Sequence, residues 1–345
     1  MPLPATPLNA PSWGKALGYL RTITASFKRS HAARGHPAPT FPVIEKCPSP
    51  TCQCAPMPSG LDIDYKRPLS NTVAAYQEQV LISTGRDDWA SRAEEEEDAV
   101  LLRGLKSLLG RGGTFSNPFH NIMLTNSSFA PSVSNSASSV YLFPSFRYIP
   151  SVSLTDGSMK AFTQAFLLPE KLHPAHEIMS SEDQRQNLMR KPALQDQFPG
   201  ARAVDELVVL ICGHGGRDER CGILGPILRS EFEEKLEVAG FDVVEEATVP
   251  KGLEKPSQSG KPRARVGLIS HIGGHKYAGN VIIYIPPTLR QGLSTSNPMD
   301  GKGIWYGRVE PGHVEGIVNE TVLNGSVIAE LFRGGVGKGG EALRL

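Results

Sequence analysis

The apolar run Leu207-Val208-Val209-Leu210-Ile211 leads directly into the loop Cys212-Gly213-His214-Gly215-Gly216-Arg217-Asp218-Glu219-Arg220-Cys221-Gly222. An uninterrupted apolar run of this kind is a strand covered on both faces. Apolar residues then recur at Ile227, Leu228, Phe232 and Leu236, the spacing of one face of a helix over 224–239, which Gly240 stops. Strand, glycine loop and helix in that order commit this part of the chain to an α/β fold. A second apolar run, 265–270, ends in the same manner, on His271-Ile272-Gly273-Gly274-His275.

The neighbouring pattern extends the reading. Strands are expected over 241–248 and 280–285, with an edge strand over 303–309. One or two helices over 315–332, interrupted at Asn324-Gly325, and a flexible glycine tail close the chain. A β-loop-α-β-loop-β-β-α order with a mixed sheet is thioredoxin-like. Ahead of it, strands are expected over 78–84, 121–125, 139–143 and 148–155. A helix is predicted over 91–109, with Ser91 and Glu94 as its capping box and the acids Glu94 to Asp98 in its first turns. A short helix over 159–168 precedes a polar, proline-punctuated stretch, 173–200. The expected class is therefore α/β (α+β). Residues 1–44 form a leader and 45–200 an α/β domain with a cysteine-containing leading loop and a C-terminal linker. Residues 201–333 form the thioredoxin-like domain, and 334–345 the tail.

Composition removes several functions. Lys and Arg total 36 against 35 for Asp and Glu, so the chain is not a basic nucleic-acid binder. No apolar run reaches the roughly 18 residues of a membrane span. The five cysteines are too few and too uneven for a disulfide scaffold, which points to a reducing compartment. The sequons at Asn126, Asn319 and Asn324 are then chance matches. The leader has no acidic residue but carries Lys15, Arg21, Lys28, Arg29 and Arg34, interleaved with Trp13, Leu17, Leu20, Ile23 and Phe27. Acid-poor, basic and amphipathic is the pattern of a mitochondrial transit peptide, leading to matrix or intermembrane space. A disordered basic tail is the plainer alternative.

The donor residues define the chemistry. Zinc knuckles bring in two cysteines on a spacer of roughly two to four residues. Cys212 and Cys221 are further apart, and a long glycine-rich loop can wrap a larger inorganic core. His271 and His275 add two nitrogens. Two thiolates and two imidazoles hold either zinc or a [2Fe-2S] cluster, with the cysteines on one iron and the histidines on the other, as in Rieske centres. The Rieske Cys-x-His spacing is absent. Two buried thiols and two hydrogen-bonding histidines without metal are the plain alternative. Around them, His214 is expected to hydrogen-bond rather than ligate. Arg217, Arg220 and Lys276 are placed to stabilise added negative charge or to meet an acidic partner, and Asp218 to pair with an arginine. Cys47, Cys52 and Cys54 form a thiol-rich loop suited to redox exchange more than to a closed metal site. His173 and His176, beside Glu177, read as a surface loop. Trp305 and Tyr306 read as packing. The glycines near Lys338 lack P-loop spacing, and no dinucleotide fingerprint follows a strand.

The cysteine block from Cys212 to Gly222, the block His271-Ile-Gly-Gly-His275-Lys-Tyr-Ala-Gly-Asn280, and Trp305-Tyr-Gly-Arg308 followed by Gly316-Ile-Val resemble the signatures of the sucrase/ferredoxin-like family. The resemblance runs from about Cys47 to Phe332, and the basic leader is similar to that of its fungal mitochondrial branch. It implies a thioredoxin-like ferredoxin domain with a [2Fe-2S] cluster on Cys212, Cys221, His271 and His275, the histidines standing where ordinary members of that fold carry a Cys-x3-Cys pair. It also implies one-electron transfer with redox-protein or thiol partners, tied to mitochondrial thiol homeostasis and to mitochondrial maintenance and inheritance. A zinc-stabilised interaction module and a thiol oxidoreductase using the N-terminal cysteines stay open beside it. No carboxylate pair supports the glycosidase in the family's name.

Overall fold

Alternate side chains of nearly every long strand enter different cores, because the sheet is covered on both sides. The computed structural model describes residues 39–131, 136–176, 181–244, 260–289 and 297–345. The expected transit segment through residue 38 and most of the 251–262 loop lie outside them.

After β1 (Val43–Ile44), a first unit runs β2 (Glu78–Ser83), α1 (Val100–Leu109), β3 (Ile122–Ser127), β4 (Ala137–Phe143), β5 (Arg147–Ser153) and α2 (Asp156–Phe162). Next, α3 (Glu182–Asn187) and β6 (Arg202–Ala203) lead to a second unit. That unit runs β7 (Leu207–Cys212), α4 (Glu219–Val238), β8 (Asp242–Val243), β9 (Arg263–Ile269), β10 (Val281–Ile285), β11 (Lys302–Tyr306) and α5 (Val314–Ile317). β12 (Val327–Ile328), β13 (Phe332–Val336) and β14 (Ala342–Leu343) follow.

In the second unit β7 lies parallel to β9 and antiparallel to β10, which pairs antiparallel with β11. Spatial order β9-β7-β10-β11 is the thioredoxin-like arrangement expected from the sequence. The first unit repeats it. There β2 is parallel to β3 and antiparallel to β4, which pairs antiparallel with β5. Both closing helices, α2 and α5, widen into a π turn, at Thr163–Leu167 and Val318–Leu323. The two copies join edge to edge where Ser127 of β3 faces Ile269 of β9.

Side-chain alternation builds three cores. Leu207, Val209 and Ile211 of β7 pack with Leu228 and Phe232 of α4. Val80 and Ile82 of β2 pack with Leu101 and Leu105 of α1. The opposite faces, Val208 and Leu210 of β7 and Leu81 of β2, share a central aromatic core. In it Phe143 stacks on Tyr284 with ring centroids 4.2 Å apart. The layers are thus helix, half-sheet, half-sheet, helix.

Four expectations change. The 91–109 helix begins only at Val100; before it, Ala93–Glu95 make a single 3-10 turn. Consecutive glutamates repel one another. They are held in a loop, where Glu96 pairs with Arg86, Glu94 pairs with Lys106, and the Arg103 guanidinium donates to the Glu94, Glu96 and Glu97 carbonyls. Of the 241–248 strand, only Asp242–Val243 pairs among the described residues. Helix over 315–332 ends before Gly325, and the chain turns into β12 and β13. The glycine-rich end is not a loose tail: β13 pairs with β11, and β14 with β13. Glycines suit that edge because Gly335, without a side chain, lies against the Gly303 carbonyl.

The cysteine-containing leading segment packs on the second unit, not the first. Val43 pairs with Val327, and Phe41 and Ile63 enter the core under α4 and α5.

Candidate metal centre

Cys212 ends β7, and Cys221 lies in the first turn of α4, capped by the Asp218 carboxylate on the Arg220 N–H. Two glycines bring them together. Cβ atoms at Gly222 and Gly225 would strike the backbone of Gly215 and of Gly213, so the helix start lies directly on the loop after β7. Both thiols are buried and neither forms a disulfide. The Cys221 thiol, the His271 ring and the His214 backbone are the neighbours that act on the Cys212 sulfur. Those neighbours, the Cys221 thiol first, pull Cys212 well below the usual thiol range despite its burial. The proton is left on Cys221, which Cys212 and burial push up. The two are thus driven in opposite directions, Cys212 toward the thiolate and Cys221 toward the protonated thiol.

The histidine loop follows β9. His271 and His275 rings are tilted at 34° with centroids 5.4 Å apart. Gly274 adopts a φ of +74°, and a side chain there would run into the Arg333 guanidinium. His275 Nδ1 is buried with no hydrogen-bond partner among the described residues. Those residues contain no group of three or more His, Cys, Asp or Glu arranged around a single metal position.

Supporting contacts are specific. His214 Nε2 donates to the Trp89 and Ala90 carbonyls at 3.0 and 2.9 Å, while its Nδ1 accepts the His271 N–H at 3.0 Å. Asp88 accepts the Gly216 N–H. The first unit's loop after β2 thereby caps the second unit's cysteine loop. Asp218 holds Arg220 through two hydrogen bonds of 2.8 Å, and the guanidinium keeps that carboxyl below its usual range. Arg220 also reaches the Asp62 carbonyl. Lys276 lies over the Tyr277 ring. Arg217 touches Ser91 and lines a cavity of about 270 Å³ that reaches His271 and also carries Arg92 and Lys106.

Sequence reasoning missed Arg333. It is 2% exposed, and its guanidinium donates to Asn280 Oδ1 at 2.6 Å and to the carbonyls of Gly273 and Thr72. Burial lowers its pKa to about 10, against the opposing pull of Tyr277, Cys212 and Cys221, so it stays charged at neutral pH. Nothing near Arg333 in the chain signals this role. Asn280, inside the histidine block, was the available clue: its amide also donates to the Gly274 carbonyl.

Cys47, Cys52 and Cys54 lie apart from this centre. The Cys47 thiol donates to the His313 carbonyl at 3.5 Å, and burial, with Glu330 and Glu320, pushes its pKa up to about 12. Cys52 is exposed and donates to Glu315 Oε2 at 3.0 Å. Thr51 and Cys52 hold the Glu315 carboxyl down at about 2. Cys54 donates to the Cys52 carbonyl.

A thioredoxin-like α/β protein with cysteines and histidines gathered at two strand ends is the class these features define. The chain belongs to the sucrase/ferredoxin-like family, whose model matches residues 69–334. Among curated relatives it is similar to altered inheritance of mitochondria protein 32 of Debaryomyces hansenii, 32% identical over 85% of this chain and 96% of that one. The protein of the same name in Clavispora lusitaniae is 30% identical over 87% and 98%, and that of Meyerozyma guilliermondii 26% over 84% and 94%. No solved structure matches.

Proposed function

We propose that this chain is a mitochondrial one-electron carrier whose Cys212, Cys221, His271 and His275 hold a [2Fe-2S] cluster. One observation carries the reading: Cys221 and the His271 ring both act on the Cys212 sulfur, and the His275 ring, whose buried Nδ1 has no partner among the described residues, lies 5.4 Å from that of His271. The donor set fits the group, with two sulfurs for one iron and two imidazoles for the other. When bound, such a centre takes up and releases single electrons, at about −150 to +300 mV with this ligand set against about −400 mV for plant-type clusters.

The chain's own residues set the conditions. Arg333 holds a buried positive charge near both sulfurs, which favours added negative charge. Asn280 and His214 pin the histidine loop. Were His271 and His275 each to hold iron through one ring nitrogen, the other would be left for a proton, which would couple electron uptake to proton uptake and make the potential vary with pH. In the cavity beside His271, Lys106 is paired with Glu94 and Arg92 with Glu95. That leaves Arg217, bonded among the described residues only to the neutral Ser91, as the cation that can meet an acidic redox partner. The relatives' name supports a mitochondrial setting and a link to mitochondrial inheritance.

Anaerobic purification tests the reading. Iron and acid-labile sulfide near two each per chain, with an EPR signal on reduction, are expected. A colourless protein with one zinc would instead establish the zinc-stabilised module. A second reading, thiol exchange with disulfide-bearing partners, has the exposed Cys52 and nearby Cys54 in its favour. Replacing both by serine would then abolish exchange and leave iron content unchanged.

A further inference from the structure

A second cleft lies at the opposite end of the sheet from the candidate metal centre. Glu78 opens β2, Lys302 opens β11 and Pro287 follows β10, and all three line it. Cys212 instead closes β7, and His271 follows β9. The cleft encloses about 890 Å³ between the two copies and shares no lining residue with the four donors. That volume is within the range of small-molecule sites, roughly 300–1,000 Å³, and a seam between two units is a usual place for one.

Its chemistry is two-signed. Glu78 is buried, accepts the Ser145 N–H at 3.1 Å, and has no cation within ion-pair distance among the described residues. The other buried carboxylate at a strand start is built differently: Glu206 is bonded to Arg265 at 2.7 Å. Burial pushes the Glu78 carboxyl up to about 7, so it donates or accepts near neutral pH. Lys171 and Lys338 are exposed, line the cleft from separate segments, and have no hydrogen-bond or ion-pair partner among the described residues. Phe119, 40% exposed, contributes an apolar wall, stacked on His173 at 4.2 Å.

We propose that this cleft binds a small zwitterionic acid of short-peptide size, its carboxylates on Lys171 and Lys338 and its ammonium group on Glu78. Lys171 and Lys338 offer donors to carboxylates, and Glu78, on which Arg190 and Arg147 act only from beyond ion-pair distance, offers an acceptor to an ammonium group. Glu170, Asp300, Glu341 and Lys302 complete the charged lining, with Glu170 taken up by Arg190. The volume admits about a tripeptide.

The test is calorimetric titration of the full chain with S-methylglutathione, a tripeptide zwitterion with two carboxylates, one ammonium group and a blocked sulfur. Glutaric acid and inorganic phosphate are the comparison probes. Saturable one-to-one binding at about 1 mM or tighter is expected. Lys171→Ala with Lys338→Ala should weaken it at least about tenfold, and Glu78→Gln should do the same for the tripeptide while sparing glutaric acid. These lysines are exposed, so the double variant keeps its fold even if Glu78→Gln does not. No saturable binding, binding unchanged in the lysine variant, or phosphate bound as tightly as the tripeptide would overturn the proposal.

Discussion

His214 Nδ1 accepts the backbone N–H of His271 at 3.0 Å, which joins the cysteine loop to the histidine loop. The ring proton is then on Nε2, shared between two carbonyls of the first copy, Trp89 and Ala90. One buried imidazole therefore ties together three segments distant in sequence.

Removing that ring should loosen all three. His214→Ala leaves an N–H and carbonyls without their partner in a buried site, at a cost of about 3 kcal/mol. A lower denaturant midpoint with an unchanged slope in guanidinium unfolding would show it, and iron retention should fall in parallel. Unchanged stability would mean that water replaces the ring.

On the proposed reading, His271 and His275 would set a [2Fe-2S] centre here apart from a four-thiolate one. Joint His271→Cys and His275→Cys substitution should retain iron and sulfide but lower the potential by a few hundred millivolts, toward about −400 mV. Its pH dependence should vanish, because no ring nitrogen remains to take a proton. Redox titration at several pH values reads both effects; a potential that stays put would remove the histidines from the ligand set.

Glu78 predicts a pH effect on stability. Its carboxyl titrates near 7 in the folded chain, against 4.5 ordinarily. Below pH 4.5 both states hold the proton and the residue has no effect. Between 4.5 and about 7 the unfolded chain releases the proton while the folded chain keeps it, so stability falls as pH rises. The full loss is about 3 kcal/mol. Glu78→Gln should flatten this slope and make the protein more stable at pH 8 than the parent. Parallel denaturation curves for the two proteins across that interval would contradict the assignment.

The N-terminal thiols should differ in reactivity. Cys47 is half-buried and its pKa is pushed to about 12, whereas Cys52 is exposed. Alkylation at pH 8 followed by peptide mass spectrometry should label Cys52 well before Cys47. Equal labelling would mean that the leading segment opens away from Gly316, against which Cys47 packs.

Strands were legible wherever burial on both faces left a continuous apolar run, as at Leu207–Cys212 and Val281–Ile285. Helix boundaries were less so. Ser91 and Glu94 have capping-box spacing, yet Ser91 contacts Arg217 and Glu94 pairs with Lys106. A hydrogen bond from Arg217 and an ion pair with Lys106 took the place of the local cap. The glycines after Phe332 read as loose because a strand against another strand's edge needs no apolar signal of its own.

Donor chemistry is a local property, and so the sequence by itself determined the four candidate ligands, the glycine loops that carry them and the thioredoxin-like order of the second half. Pairing between distant segments leaves no such trace. The tertiary structure alone decided that the first half repeats that order with little shared sequence, that β3 and β9 join the copies, and that Arg333 lies near both sulfurs. The reason is physical. Strand order depends on which edges meet, and a buried charge on which loops fold over it, whereas composition and spacing report only what each segment can do alone.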